Sequence, residues 1–366
     1  MRVPPRKKKE VFDKEKHTLL IDSNSLFKLG FNGRKNEFNT DGIHVGGITH
    51  FIISLRNILN ENSFDRIIAF WDGEKSGKLK SNLYKDYKIK RNRDYKKGNK
   101  IQDKYEEFEI NVIKSIMSDL CIRQFDNDGF CEADDLIGFY CSNKADNEKI
   151  TILTSDRDLC QLVDKDIRVY LIDRKKYVTT NTFKYNSRSD KVNIFNFHYK
   201  NVALVKVMCG DASDSIRGVK GLGMKKLLSL FPFMSERECT IEDILNEAKK
   251  IKKEREDSGK KPIKIIDYII EGVTTDFDGN TIKMGMDLYE RNMKIIDLKN
   301  AMVTSNDIRK INDLKTMIFE NENGDLKEVY RKLKKIGIDR KISNFGDDFL
   351  IPFKKIIKKE KKLITN

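Results

Sequence analysis

His17-Thr-Leu-Leu-Ile-Asp22 is a short apolar run that stops on an aspartate. A run of this length, followed by Ser23-Asn24-Ser25, reads as a buried strand leading into a loop. The pattern recurs along the chain. Arg66-Ile-Ile-Ala-Phe-Trp71 is a second such strand and runs into Asp72. Lys149-Ile-Thr-Ile-Leu153 is a third, followed by Thr154, Ser155 and Asp156, and Arg168–Ile172 reads as a fourth. Ile48–Leu59 has helical spacing through Phe51, Ile52, Leu55, Ile58 and Leu59. Strands alternating with helices predict an α/β fold with a central, mostly parallel sheet flanked by helices. In such sheets the site lies beyond the carboxyl ends of the strands. Three strands here deliver an aspartate to that end.

These aspartates stand in a basic protein. The 366-residue chain carries a formal net charge of +15, which bears on partners rather than on fold. Nucleic acid is the leading partner class and an anionic membrane surface the second. The length allows one large domain plus a smaller one. The six cysteines form no CxxC pair and sit mostly among apolar residues, as reduced core thiols of a cytoplasmic protein do. Four scattered histidines offer no HxxxH or HExxH zinc pattern. No apolar run is long enough to span a membrane. Residues 1–17 read as a charged tail without the apolar stretch of a secretory signal.

Outward from the strands, residues 74–100 are rich in lysine, arginine and tyrosine and make a poor core segment. Ile101–Leu120 then has helical spacing. From about Asn201 the pattern turns helical, with a glycine-rich interruption at Gly218–Gly223. The expected organisation is a basic tail (1–17), a domain built on the sheet (18–200), a helical region (201–300) and a basic extension (301–366). The extension is weakly patterned, and its Lys354–Lys362 run reads as a solvated end.

Acidic residues gather at three further points. Cys131-Glu-Ala-Asp-Asp-Leu136 places Glu132, Asp134 and Asp135 at a helix start. Carboxylates in a first turn also suit the macrodipole, so capping alone accounts for this motif taken singly. Thr154-Ser-Asp156-Arg-Asp158 lies at a strand end, where a capped turn is the plain alternative. Asp211 and Asp214, in Gly210-Asp-Ala-Ser-Asp214, have the spacing of a helix face. Three clusters plus Asp22 and Asp72 are much harder to explain as independent caps. Hard oxygen ligands suit Mg²⁺ or Mn²⁺, with some ligands acting through water. Two such ions roughly 4 Å apart activate a water and stabilise the leaving oxygen in phosphodiester cleavage.

Two basic segments complete the pattern. Gly218-Val-Lys-Gly-Leu-Gly-Met-Lys-Lys226 follows the last acidic pair directly. Glycines Gly218, Gly221 and Gly223 let backbone amides approach a phosphate, and Lys220, Lys225 and Lys226 add charge. An ordinary helix–helix turn is the alternative, and Val219 and Leu222 are read as packing residues. In Leu83-Tyr-Lys-Asp-Tyr-Lys-Ile-Lys-Arg-Asn-Arg93, aromatics interleave with cations, a pattern that stacks on unpaired bases while holding the backbone.

Taken in order, these motifs resemble those of the flap endonuclease and 5′-nuclease superfamily, with the nearest likeness to bacteriophage 5′-exonucleases and the 5′-nuclease domain of bacterial DNA polymerase I. Leu19-Leu-Ile-Asp22, Phe70-Trp-Asp72-Gly73, Glu132-Ala-Asp134-Asp135, Thr154-Ser-Asp156-Arg-Asp158 and Gly210-Asp211-Ala-Ser-Asp214 carry the likeness, which covers about residues 18–230. The resemblance implies a PIN-like catalytic domain, a helical arch over about 74–115 and a helix–three-turn–helix after residue 201. It implies two divalent ions among Asp22, Asp72, Glu132, Asp134, Asp156 and Asp158, with Asp135, Asp211 and Asp214 completing the second position. It implies that Tyr87 stacks on the scissile nucleotide, Lys88 polarises the phosphate and Arg91 stabilises developing charge. The hairpin would hold duplex backbone with a K⁺ ion on its carbonyls.

The chain departs from the family at several points. Ser23 stands where glycine is common, and Lys80 is nearest to a usual arginine before the Tyr-Lys pair. Lys28 is nearest to another, and Ser215 and Arg217 replace Asn and Pro of the hairpin. The implied function is a structure-specific 5′-nuclease acting on branched or 5′-ended DNA or RNA–DNA hybrid. The expectation is a monomer working beside replication proteins in the cytoplasm of a bacterial or phage-infected cell. A PIN-like ribonuclease would lack the hairpin, and a non-catalytic DNA-binding module would have lost carboxylates.

Overall fold

The computed structural model describes residues 16–89, 100–126, 129–181, 197–276, 278–317, 324–342 and 345–364. Strand β1 (Lys16–Asp22) lies inside a six-stranded sheet, between β2 (Arg66–Trp71) and β4 (Glu148–Thr154), and is parallel to both. β3 (Arg123–Asp126) extends the sheet beyond β2, and β5 (Ile167–Leu171) beyond β4, again in parallel. β6 (Lys176–Val178) closes that edge in the antiparallel sense. The four strands read from sequence stand within a residue or two of their expected limits. β3 and β6 escaped that reading because Arg123-Gln-Phe-Asp126 and Lys176-Tyr-Val178 are short and half polar.

Neighbouring side chains on β1 point to opposite faces, as strand geometry requires. Leu19 and Ile21 enter one core and Leu20 another. Helices α1 (Ser23–Gly33) and α2 (Gly46–Glu61) follow β1, α3 (Lys78–Leu83) follows β2, and α4 (Lys100–Asp119) leads into β3. The apolar stripes of α1, α2 and α4 cover the Leu19/Ile21 face, with Phe27, Phe51, Leu55, Ile113 and Ile116 fully buried. α5 (Ala133–Ser142) covers the opposite face through Leu136, Ile137 and Tyr140. Gly138 permits its close approach to the following chain, because a Cβ there would lie 2.2 Å from the Leu298 carbonyl oxygen. Covering both faces is what a parallel sheet demands.

A second body of helices has its own core around Val207, Met208, Leu227, Phe231, Ile244 and Leu288. It comprises α6 (Val202–Cys209), α7 (Met224–Leu230), α8 (Ile241–Asp257), α9 (Lys264–Ile270) and α10 (Asp287–Ile296). Two short hairpins interrupt it, β7 (Gly210–Asp211) with β8 (Ile216–Arg217), and β9 (Val273–Thr275) with β10 (Thr281–Lys283). Asp211 and Asp214 therefore sit on a strand end and a tight turn, not on a helix as their spacing suggested.

The region after residue 300 is more ordered than its sequence suggested. α11 (Ser305–Thr316) packs on β3 and α5, α12 (Leu326–Lys335) on α4, and α13 (Asp347–Ile364) on α2. Val329, Leu333, Phe349, Phe353, Ile356 and Ile357 are buried in the core beneath them. The Lys354–Lys362 run thus belongs to a docked helix, with Lys354, Lys355 and Lys358 on its outer side. The six cysteines are free thiols, all buried except the half-buried Cys209. Among the described residues no helix is long and apolar enough to cross a membrane.

Candidate active site

The carboxyl ends of β1, β2 and β4 bring Asp22, Asp72 and Asp156 to one end of the sheet. Each is held by local chemistry. Asp22 caps α1 by accepting the Ser25 N–H at 3.2 Å, and it accepts the Thr154 hydroxyl at 2.7 Å. Asp72 accepts the Ala133 N–H at 2.8 Å, so one strand end caps the helix that carries the densest acidic motif. The Asp72 N–H in turn donates to Asn24 Oδ1 at 3.0 Å. Asp156 donates its own N–H to Thr154 Oγ1 and accepts the Asp158 N–H at 2.9 Å. With Lys28, Asn32, Gly33, Lys88, Glu132 and Asp134 these groups line a cleft of about 700 Å³.

The remaining carboxylates form two triads. Oxygens of Glu132, Asp134 and Asp135 lie within 4.8 Å of one another, as do those of Asp158, Asp211 and Asp214. Asp134 and the whole second triad line one small shared cavity, so the two sets are adjacent. The capping alternative holds in part, since the Glu132 N–H donates to Asp135 at 3.3 Å. Capping does not explain why six carboxylates from three chain segments converge.

Three ammonium groups hold this negative charge together. Lys80, 3% exposed, lies 2.9 Å from Asp135, 3.0 Å from Glu132 and 3.8 Å from Asp134. Lys88 bonds Glu132 from the cleft side. Lys206 bonds Asp158 and lies 2.6 Å from Asp211. Burial pushes Asp22, Asp135 and Asp158 up to about 7 and Asp72 up to about 6. Burial also acts on Glu132, but Lys80 and Lys88 outweigh it and hold this carboxyl at about 2. Asp211 is held at about 2 in the same way, by Lys206 and the two Ser213 donors against burial. Burial works against the charge on Lys80 and Lys206, and their carboxylate partners more than reverse it, leaving both above the ordinary lysine range.

Several expected site residues stand elsewhere than a nucleic-acid contact would place them. Lys80 is buried among carboxylates, which attract an ammonium more strongly than solvent does, and does not face the cleft. Tyr87 is also buried; its ring packs in the helical core and its hydroxyl donates to Glu132 at 2.5 Å. The described part of the lysine- and tyrosine-rich segment, residues 74–89, therefore contributes to the interior. Arg91 lies outside the described residues. In the glycine segment, Gly221, Gly223, Lys225 and Lys226 are exposed while Val219 and Leu222 are buried. Lys220 is half-buried and bonds the Thr281 hydroxyl. Gly218 is required for packing, because a Cβ there would sit 2.2 Å from the Gly210 nitrogen.

Sequence reasoning missed Lys206, Asn24 and Thr154. A signal existed for the first: it is the one cation in the apolar helix Val202-Ala-Leu-Val-Lys-Val-Met-Cys209, five residues before Asp211. Asn24 and Thr154 carry no such mark.

Residues 17–189 match the family described as 5′-3′ exonuclease, N-terminal resolvase-like domain. The chain is 30% identical over 220 residues to the 5′-3′ exonuclease of Mycoplasma pneumoniae, covering 59% of this chain and 71% of that protein. It is 31% identical over 219 residues to DNA polymerase I of Mycobacterium leprae, covering 58% of this chain and 22% of the polymerase. Its fold is similar to that of zinc-bound T5 5′-exonuclease, with a TM-score of 0.53 and 15% identity over 94% of this chain and 99% of the other. On this match over most of the length of a 5′-3′ exonuclease, the chain belongs to the 5′-3′ exonuclease family.

Proposed function

We propose that this nuclease hydrolyses phosphodiester bonds at 5′ ends and flaps with two divalent ions, Mg²⁺ by preference. The observation that carries the reading is the pair of adjacent carboxylate triads at one sheet end of a +15 protein. The donor set fits hard cations, since every candidate ligand is a carboxylate oxygen. Asp22, Asp72, Glu132, Asp134 and Asp156 border the open cleft and would hold one ion. Asp158, Asp211 and Asp214 would hold the other, with Asp135 completing that position. When bound, such ions lower the pKa of water and neutralise charge on a phosphate.

The chain's own groups divide the remaining work. Lys88 stands at the cleft with its ammonium against Glu132, positioned to transfer its charge to an entering phosphate. Lys28, Asn32 and Gly33 form the cleft wall that an emerging strand would pass. The exposed glycines and Lys225 and Lys226 would grip duplex backbone, with K⁺ on the hairpin carbonyls. Recognition would rest on backbone charge and be steeply salt-dependent. RNA–DNA hybrid substrates, a monomeric state and a cytoplasmic role beside replication proteins complete the proposal.

The test uses purified protein with labelled 5′-flap, nicked, blunt and RNA–DNA hybrid substrates, with Mg²⁺ or with chelator. Cleavage is expected from the 5′ side and only with the divalent ion. Asp156→Asn should abolish cleavage and leave binding to flap DNA intact. Full Mg²⁺-dependent turnover in that variant would sink the two-ion assignment.

A further inference from the structure

α12 presents its two edges to very different surroundings. Val329 and Leu333 are buried against α4, and Lys332 reaches inward to Asp119 at 2.6 Å and Ser115 at 2.7 Å. The opposite face carries Lys327, Arg331, Lys334 and Lys335, all exposed. Their spacing keeps them on one side of the helix, over a span of ~12 Å at 1.5 Å per residue. The acidic residues of this helix are engaged locally. Asp325 caps it through the Lys327 N–H at 2.8 Å, and Glu328 pairs with Arg331 at 2.5 Å. The stripe is therefore a net cationic surface held in place by its own buried side.

The stripe also has a route to the active cleft. Asn32 and Gly33, at the end of α1, line that cleft, and the exposed Arg34 and Lys35 follow them. The same loop carries Asn39, whose side-chain amide donates to the Ile336 carbonyl at 3.1 Å. Gly337, with φ 73°, lets the two segments close up, since a Cβ there would lie 3.3 Å from Asn39 Cβ. The C-terminal end of α12 is thus fastened to the loop that leaves the cleft wall.

We propose that the outer face of α12 is a second nucleic-acid contact, holding the phosphate backbone of an arm that leaves the cleft past Arg34 and Lys35. The stripe would cover three to four nucleotides at ~3.4 Å per nucleotide along a strand. This inference rests on the nuclease reading above, because it takes nucleic acid rather than another polyanion as the occupant.

The experiment measures binding by fluorescence anisotropy in the Asp156→Asn background with Mg²⁺. Flap substrates have each duplex arm, or the flap, long or truncated in turn, across a salt series. Replacing Lys327, Arg331, Lys334 and Lys335 with Gln keeps helix propensity. It should weaken binding about tenfold or more and lower the slope of log affinity against log salt by about two to four. The loss should vanish when one particular arm is truncated. Replacing Lys327, Lys334 and Lys335 with Arg should retain affinity, and Lys334→Glu with Lys335→Glu repeats the test should four changes unfold the helix. Unchanged affinity and slope, while the parent still binds DNA, would overturn the inference alone. Failure of the parent to bind DNA would bring down the nuclease reading and this inference together. Loss of binding to phosphatidylserine vesicles with DNA affinity intact would assign the stripe to a membrane instead.

Discussion

Lys206 Nζ lies 2.6 Å from Asp211 Oδ2 and also bonds Asp158, so a single ammonium ties two members of the second triad together. Lys206→Met removes that charge and keeps most of the volume. Without divalent ions the variant should be less stable by roughly 1–3 kcal/mol, because two half-buried carboxylates lose a charged partner. With the cation gone, the triad should bind Mn²⁺ more tightly. Thermal melts with and without Mn²⁺, and calorimetric titration with Mn²⁺, check both outcomes. Weaker Mn²⁺ binding in the variant would show that Lys206 assists the ion rather than substituting for it.

Lys88 lines the cleft, is largely enclosed and holds its ammonium against Glu132. Removing a charge aimed at a reacting phosphate costs about 10² or more in rate. Lys88→Ala should therefore lower single-turnover cleavage by that order while changing flap affinity by no more than a few-fold. Equal losses in binding and rate would assign Lys88 to substrate capture alone.

The metal-free protein should lose stability as pH rises from about 5 to about 8. Asp22, Asp135 and Asp158 titrate near 7 in the folded chain because they are buried. Such groups titrate near 4 when unfolded, so across that window the folded state holds more protons and rising pH favours unfolding. Glu132 and Asp211, held at about 2, act in the opposite sense, but only below about pH 5. Melting midpoints in EDTA should fall by several degrees across the window, and excess Mg²⁺ should flatten the dependence. A metal-free midpoint that climbs with pH would contradict the burial argument.

Leu333 is fully buried on the inner side of α12, in the core shared with α2 and α4. Leu333→Ala should cost about 2–4 kcal/mol, the usual penalty for emptying a packed leucine site. Denaturant unfolding measures it. A change below about 0.5 kcal/mol, the range of surface substitutions, would mean that the last helices contribute little to the nuclease core.

The parts that could be read from sequence were those where one physical rule dominated. β1, β2, β4 and α2 are apolar enough that burial alone dictates them. Asp22, Asp72 and Asp156 were legible because parallel strands must end at the site. The spacing of Asp211 and Asp214 also fits a solvated helix face, because three-residue spacing is shared by helix and turn, but Gly210 at φ 79° and Ser215 at φ 62° break the helical path. α12 was missed because its buried stripe is only Val329 and Leu333 within a lysine-rich stretch. Tyr87 and Lys80 looked solvent-facing by composition, and only the carboxylates opposite them explain why they are inside.

Lys88 has φ 53°, and its N–H donates to the Asp214 carbonyl at 2.8 Å. Nearby, the Tyr84 hydroxyl donates to the Ser215 carbonyl at 3.2 Å, and Arg291 stacks 4.4 Å from the Tyr84 ring centre. The chain that presents the cleft cation is therefore stitched to the turn that presents a carboxylate of the second triad. Mechanically, the two act as the ends of one short lever. On the proposed reading, a phosphate that draws Lys88 outward would pull on the peptide of Asp214, and an ion in the second triad would set the position from which Lys88 starts. Coupling of that kind is reciprocal by thermodynamic necessity, so on the proposed reading substrate and ion would each alter the affinity for the other.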